Sequence, residues 1–237
     1  MMEKMRIIKR LWDVLNLIED HVTCGFKRQH PQLTELVLNR KETDKFPVDR
    51  KKQLEELAST ISRCMKCHLQ YSRRQTVAGE GVLDPLLFII GEGPGEEEDK
   101  TGHPFIGKAG KYLDKWLAAI GLDRHTNCFI SNIVKCRPPH NRDPREEESS
   151  ACLPYLEKQI SIVKPRALLC VGRIASQILT GRLSTSIRVI RDSQYRYRGI
   201  PLIATFHPSA VLRDQSLRQP VWEDLKQLKK ILEESEE

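Results

Sequence analysis

The sequence predicts an α/β fold built on a parallel sheet with helices on both faces. Four short apolar runs recur after residue 85: LLFII (86–90), CFISNIV (128–134), ALLCV (167–171) and PLIAT (201–205). They are rich in Ile, Leu and Val, as buried strands are. Stretches of helical character near 109–120, 146–162 and 172–181 lie between them. Strands alternating with helices give a parallel sheet covered on both sides. In such sheets ligands bind beyond the carboxyl ends of the strands. The segments to examine are therefore GEGPGEEEDKTGHPF, KCRPPHNRDP, GR and FHPSAVLR, which follow the four runs.

Upstream, Met5, Ile8, Leu11, Trp12, Leu15 and Ile18 recur at helical spacing, and the mixed, charged stretch 30–49 reads as a linker. A helix begins near Asp49, with Leu54, Leu57 and Ile61 on one side. The expected division is an N-terminal helical and linker extension over 1–48 and a main domain over 49–237. The extension suits a helical cap, a partner-docking arm or a DNA-contact arm equally well.

The 237 residues are 39% hydrophobic and 30% charged, which excludes a disordered chain. No apolar run approaches the roughly 20 residues of a membrane helix. The first twenty residues carry scattered charges rather than the apolar core of a secretory signal, so a cytoplasmic protein is expected. The net charge of +7 favours a polyanionic partner. Basic residues concentrate in 63–74, 135–145 and 182–198, interleaved with Tyr71, Tyr195 and Tyr197, which suits a phosphate backbone. Solvated surface arginines explain any one of these segments equally well.

Two nucleotide-binding patterns are approached and missed. A G-x-G-x-x-G fingerprint would use Gly91, Gly93 and position 96, but position 96 is Glu and acids continue to Asp99. GHPFIGKA (102–109) nearly spells a P-loop, but Ala109 stands where a magnesium-binding hydroxyl belongs and no strand precedes it directly. The loop instead offers closely approachable backbone at Gly91, Gly93 and Gly95, an aromatic face at Phe105, and carboxylates at Glu92, Glu98 and Asp99. A tight acidic surface turn with Phe105 in the core is the plainer reading.

Seven cysteines in a chain of this type argue for metal binding or buried thiols rather than disulfides. Cys64 and Cys67 form a chelating C-x2-C pair, and Cys136 and Cys152 flank one loop. Four thiolates at this spacing suit zinc or an iron–sulfur cluster, and spacing alone does not choose. Cys128 and Cys170 sit in apolar runs and read as core.

Three segments, GEGPGEEEDKTGHPFIGKAG, SNIVKCRPPHNRDPREEESSACLPYL and HPSAVLR, follow the Cys64/Cys67 pair in that order. Together they closely resemble the family 4 uracil-DNA glycosylases over about residues 50–235. The resemblance implies a three-layer α/β/α sandwich around a central four-stranded parallel sheet. It implies hydrolysis of the N-glycosidic bond of uracil in DNA, leaving an abasic site for base excision repair. It also implies a structural [4Fe–4S] cluster held by Cys64, Cys67, Cys136 and Cys152. The uracil nucleotide must leave the stack to be reached. In the pocket, Gly91 and Gly93 allow close approach, Phe105 stacks on the base and Asn132 reads its polar edge. His207 hydrogen-bonds uracil O2 as negative charge develops. Glu92 is the first choice for orienting water or stabilising the oxocarbenium. Glu98 is the runner-up, with a place near uracil C5 as its other role. Ser209 is assigned to phosphate, and Leu212 or Arg213 to the vacated stack. Gly93 stands where classical uracil glycosylases carry Asp, which leaves the water-activating group open. PPHNRDP lacks the inserted basic loop of a covalent DNA-trapping relative, so His140 reads as a surface or DNA-contact residue. The expected partner is uracil-containing DNA, the expected state a monomer, with no membrane; the extension leaves room for a protein partner. The rival reading is a catalytically silent DNA- or uracil-binding module of the same fold.

Overall fold

The computed structural model describes residues 49–234; the extension expected over 1–48 lies outside the described residues. Helix α1 (Arg50–Ser62) starts where Asp49 accepts a hydrogen bond from the Lys52 amide at 3.1 Å, a side-chain N-cap. Its Ile61, with Leu54 and Leu57, packs into one of two apolar clusters that sandwich the sheet.

The sheet has six strands in the order β1-β3-β2-β4-β6-β5. These are β1 (Glu80–Gly81), β2 (Leu87–Gly91), β3 (Cys128–Asn132), β4 (Ala167–Val171), β5 (Tyr195–Tyr197) and β6 (Ile200–Thr205). The inner pairs β2–β3, β2–β4 and β4–β6 run parallel. The outer strands β1 and β5 are antiparallel to their neighbours, so the sheet is mixed and wider than the four strands expected. A two-residue hairpin makes the β5 edge: Arg198 and Gly199 both have positive φ, at 51° and 85°, the backbone a tight turn of this kind requires. The Tyr-Arg-Tyr pattern expected to face phosphate thus forms a sheet edge. Tyr195 and Tyr197 pack against the core, and Tyr197 Oη donates to Glu157 at 2.8 Å.

Seven further α-helices follow among the described residues: α2 (Glu96–Thr101), α3 (Lys108–Ala119), α4 (Glu146–Val163), α5 (Arg173–Thr180), α6 (Ile187–Ile190), α7 (Pro208–Arg213) and α8 (Arg218–Glu234). Strand alternation divides them. Leu87 and Ile89 of β2 face a layer containing Leu113 and Leu117 of α3 and Leu225 and Leu228 of α8. Phe88 and Ile90 face Ile61 of α1, Leu156 and Ile160 of α4, and Ala175 of α5. Cys128 and Cys170 are buried, one in each cluster. Among the described residues no helix is long and apolar enough to cross a membrane. The carboxyl ends of β2, β3, β4 and β6 open toward one edge of the sheet, where parallel register sets Gly91 opposite Asn132 and Val171 opposite Thr205.

Candidate active site

Phe105 and Asn132 converge on Gly91, and His207 stands beside the Phe105 ring. A Cβ on Gly91 would lie 2.4 Å from Asn132 Oδ1 and 2.6 Å from Phe105 Cζ, so only glycine fits between the amide and the ring. The Phe105 and His207 rings stand 5.8 Å apart, tilted by 34°. Gly172, with φ 97° after β4, completes this wall; its Cβ would meet His207 Cβ at 3.1 Å.

Asn132 closes β3 and is 1% exposed. Its Oδ1 is the one buried side-chain polar atom among the described residues without a hydrogen-bond partner. Leaving a buried acceptor unpaired costs about 1–3 kcal/mol. Such an atom at a strand's carboxyl end marks a ligand position. Fully buried Lys135 braces the residue from behind, its ammonium donating to the Asn132 carbonyl and to Ser131 Oγ.

His207 caps α7. The Ser209 amide donates to Nδ1 at 3.1 Å and Ser209 Oγ stands 2.7 Å from the same nitrogen. Nδ1 therefore carries a lone pair and the ring proton falls on Nε2. Burial, helped by Arg213 and opposed by Glu98, pushes the imidazole pKa down to about 4. The group is a neutral N–H donor at neutral pH. Ser209, assigned above to phosphate, is engaged with this histidine. Leu212 and Arg213 are exposed on α7 beside it.

Glu92 follows β2, its carbonyl held by the Val134 amide at 3.1 Å. Burial is the main cause that raises its carboxyl pKa to about 7; Asp143 adds to it and Arg173 opposes it. Arg173 and Asp143 form an ion pair. A carboxylate with such a pKa is poised to take or hold a proton near neutrality.

Glu98 points into its own loop. One carboxylate oxygen accepts from the amides of Ile106 and Gly107, at 3.0 and 2.9 Å. It thereby fixes the segment that carries Phe105, whose φ of 53° costs a non-glycine residue about 1–3 kcal/mol. Across the P-loop lookalike, Gly102 is the left-handed C-cap of α2, Gly107 is the N-cap of α3, and Lys108 is exposed. The acids Glu96 and Glu97 sit in the first turn of α2, where the helix dipole favours them. His140 is exposed in a turn with positive φ.

Cys64, Cys67, Cys136 and Cys152 line one small cavity with Arg73, Lys135 and Tyr155. Among the described residues no three His, Cys, Asp or Glu side chains converge on a point that would hold a single metal ion. A [4Fe–4S] cubane takes one thiolate at each of its four irons, so its ligands ring a space instead. Donors already point at the sulfurs: Arg73 Nη1 lies 3.2 Å from Cys136 Sγ, and the Lys135 amide 3.3 Å from Cys152 Sγ. The thiol set and its surroundings fit the group. The loop between Cys136 and Cys152 is pinned by Glu148, which is fully buried, receives both arms of Arg142 at 2.8 Å and accepts the Arg145 amide.

Several residues escaped the sequence reading. Arg173 and Asp143 follow different strands and pair only in the folded chain, while Lys135 is buried and reaches back to Ser131 and Asn132. Gly172 was legible as the glycine directly after the third apolar run.

An aromatic face, an unpaired amide oxygen and a neutral imidazole lie close together, an arrangement with the chemistry to receive a flat heterocycle with polar edges. A family model for the uracil DNA glycosylase superfamily matches residues 78–226, and the chain belongs to that superfamily. Curated relatives agree. A type-4 uracil-DNA glycosylase of Sulfurisphaera tokodaii is 39% identical over 186 residues, covering 75% of this chain and 84% of the relative. One of Pyrobaculum aerophilum is 41% identical over 179 residues, covering 73% and 91%. One of Thermotoga maritima is 40% identical over 186 residues, covering 77% and 96%.

Proposed function

We propose that this chain is a uracil-DNA glycosylase that hydrolyses the N-glycosidic bond of uracil in DNA and leaves an abasic site for repair. The single observation that carries the reading is the unpaired, buried Oδ1 of Asn132 beside the Phe105 ring. In the proposed mechanism a flipped uracil stacks on Phe105, and its N3–H donates to Asn132 Oδ1. Cytosine has no hydrogen at N3 and would set an acceptor against that oxygen. His207 donates from Nε2 to uracil O2, where charge grows as the glycosidic bond breaks. A neutral donor suits this task because it stabilises the leaving anion without surrendering its proton. Glu92, ionised, orients water toward C1′ and stabilises the oxocarbenium-like sugar. Glu98 acts through the loop it holds. Gly91 and Gly93 leave room for the base, while Ser209, by orienting His207, and exposed Leu212 and Arg213 support engagement of the strand.

The same reading assigns Cys64, Cys67, Cys136 and Cys152 to a [4Fe–4S] cluster. When bound, the cluster supplies a covalent cross-link among three separate chain segments. Cluster-loaded protein is expected to be brown, with broad absorbance near ~400 nm from iron–thiolate bonds. Stoichiometric zinc in colourless protein would overturn the assignment.

The test of function is incubation with a uracil-containing oligonucleotide, then alkali to break the strand at abasic sites. Strand breakage is expected. Its absence with intact, cluster-loaded protein would favour the silent-module alternative. Retained uracil binding without breakage would identify that module directly.

A further inference from the structure

Phe105 is buried with its ring toward Gly91, yet its backbone lies in the left-handed region at φ 53°. A residue with a side chain holds that conformation only when its neighbours impose it. Two of the constraints lie within the glycine-loop segment. Glu98 grips the amides of Ile106 and Gly107. Gly110 sits so close that a Cβ there would fall 1.7 Å from the Phe105 carbonyl oxygen.

The third constraint comes from outside every motif. Arg124 lies in the loop between α3 and β3, its side chain 11% exposed. Its Nη2 donates to the Phe105 carbonyl at 2.7 Å and its Nη1 to the Pro104 carbonyl at 3.2 Å. Its Nε donates to Asp114 of α3 at 2.7 Å, and Glu80 of β1 stands 3.8 Å from Nη1. The planar fork of a guanidinium meets two successive carbonyls and a carboxylate at once; an ammonium cannot reproduce that fixed plane. Asp114 and Glu80 in turn anchor the fork to a helix and to an edge strand.

We infer that Arg124 is a positioning residue for base recognition: it fixes the Pro104–Phe105 backbone so that the Phe105 ring stays against Gly91 as the stacking platform. Arg124 touches neither the base nor the reacting atoms, and acts through Phe105. The inference rests on the reading of Phe105 as the uracil platform.

A double-mutant cycle on the full chain tests it, using wild type, Arg124→Lys, Phe105→Ala and the double variant. Activity is measured on a uracil oligonucleotide well below each unfolding midpoint. Misplacing a stacking group by a fraction of its own width is expected to lower kcat/KM by about 10- to 100-fold in Arg124→Lys. Inhibition by free uracil should weaken in parallel. In the Phe105→Ala background the same substitution should change activity by less than about twofold, because its target is gone. Additive losses, or wild-type activity in Arg124→Lys, would overturn the inference. Should Arg124→Lys fail to fold, Asp114→Asn loosens the same fork from a half-exposed position and enters the same cycle with the same criterion. A wild-type protein that releases no uracil refutes the glycosylase reading instead. Excision by wild type with additive losses refutes the role of Arg124 alone.

Discussion

Replacing Glu92 by Gln should stabilise the folded chain while disabling it. The carboxyl keeps its shape but loses its charge. In the folded chain its pKa rises from 4.5 to about 7. At about 1.4 kcal/mol per tenfold in proton affinity, ionised Glu92 costs about 3 kcal/mol of stability. The sign follows from proton binding. Between pH 4.5 and about 7 the folded state holds the proton and the unfolded state does not, so stability falls as pH rises through that window. Below it the cost is absent; above it the cost is complete. Glu92→Gln should therefore exceed wild type by about 3 kcal/mol at pH 8 and by under about 1 kcal/mol at pH 5. For a domain of this size that is roughly 6–12 °C in Tm at pH 8. Urea or thermal unfolding at the two pH values measures it, with kcat/KM expected to fall by about 10²- to 10⁴-fold. A variant less stable than wild type at pH 8, or a gain that does not change with pH, would refute the reasoning.

The wild-type pH–rate profile should rise as Glu92 ionises, level off above about 7, and show no separate limb from His207, whose pKa lies at about 4. His207→Ala should lower kcat by about 10²- to 10³-fold on the same oligonucleotide, with KM less affected. Gly91→Ala should abolish excision with an unchanged circular dichroism spectrum, because its Cβ would fall 2.4 Å from Asn132 Oδ1. Cys136→Ser should lower the iron content of purified protein and its absorbance near ~400 nm, measured side by side with wild type.

The sheet's inner strands were legible because each is a short, mainly apolar run; β2, β3 and β4 are buried at every position. The edges were not. β1 is two residues long, and the amphipathic pattern of β5 is shared with a basic surface patch. The signal that separates the two is Gly199 after Arg198, a turn rather than a contact surface. Phe105, Asn132 and His207 are singled out by motif order alone, and the placing of Phe105 and Asn132 at Gly91, with His207 beside the Phe105 ring, is a product of register and packing that no linear pattern encodes. Glu98 illustrates the limit. A carboxylate in a glycine loop reads as chemistry, and the linear pattern gives no sign that one of its oxygens also accepts from two backbone amides. Arg124 has partners set by tertiary packing, and the burial of Lys135 over its own strand is likewise a product of the fold, so sequence alone offered only two more basic residues in a basic chain.

The unpaired oxygen of Asn132 has a consequence for turnover. In the proposed reaction, breaking the glycosidic bond does not change the edge that this oxygen reads; free uracil presents the same N3–H and the same flat face. Product departure must therefore undo the contacts that selected the substrate, and re-expose a buried acceptor as it does so. Fidelity and release draw on one atom in opposite directions. A variant that gripped uracil more firmly would discriminate better and cycle more slowly, and its limit would appear in the steps after the first turnover, not in the first.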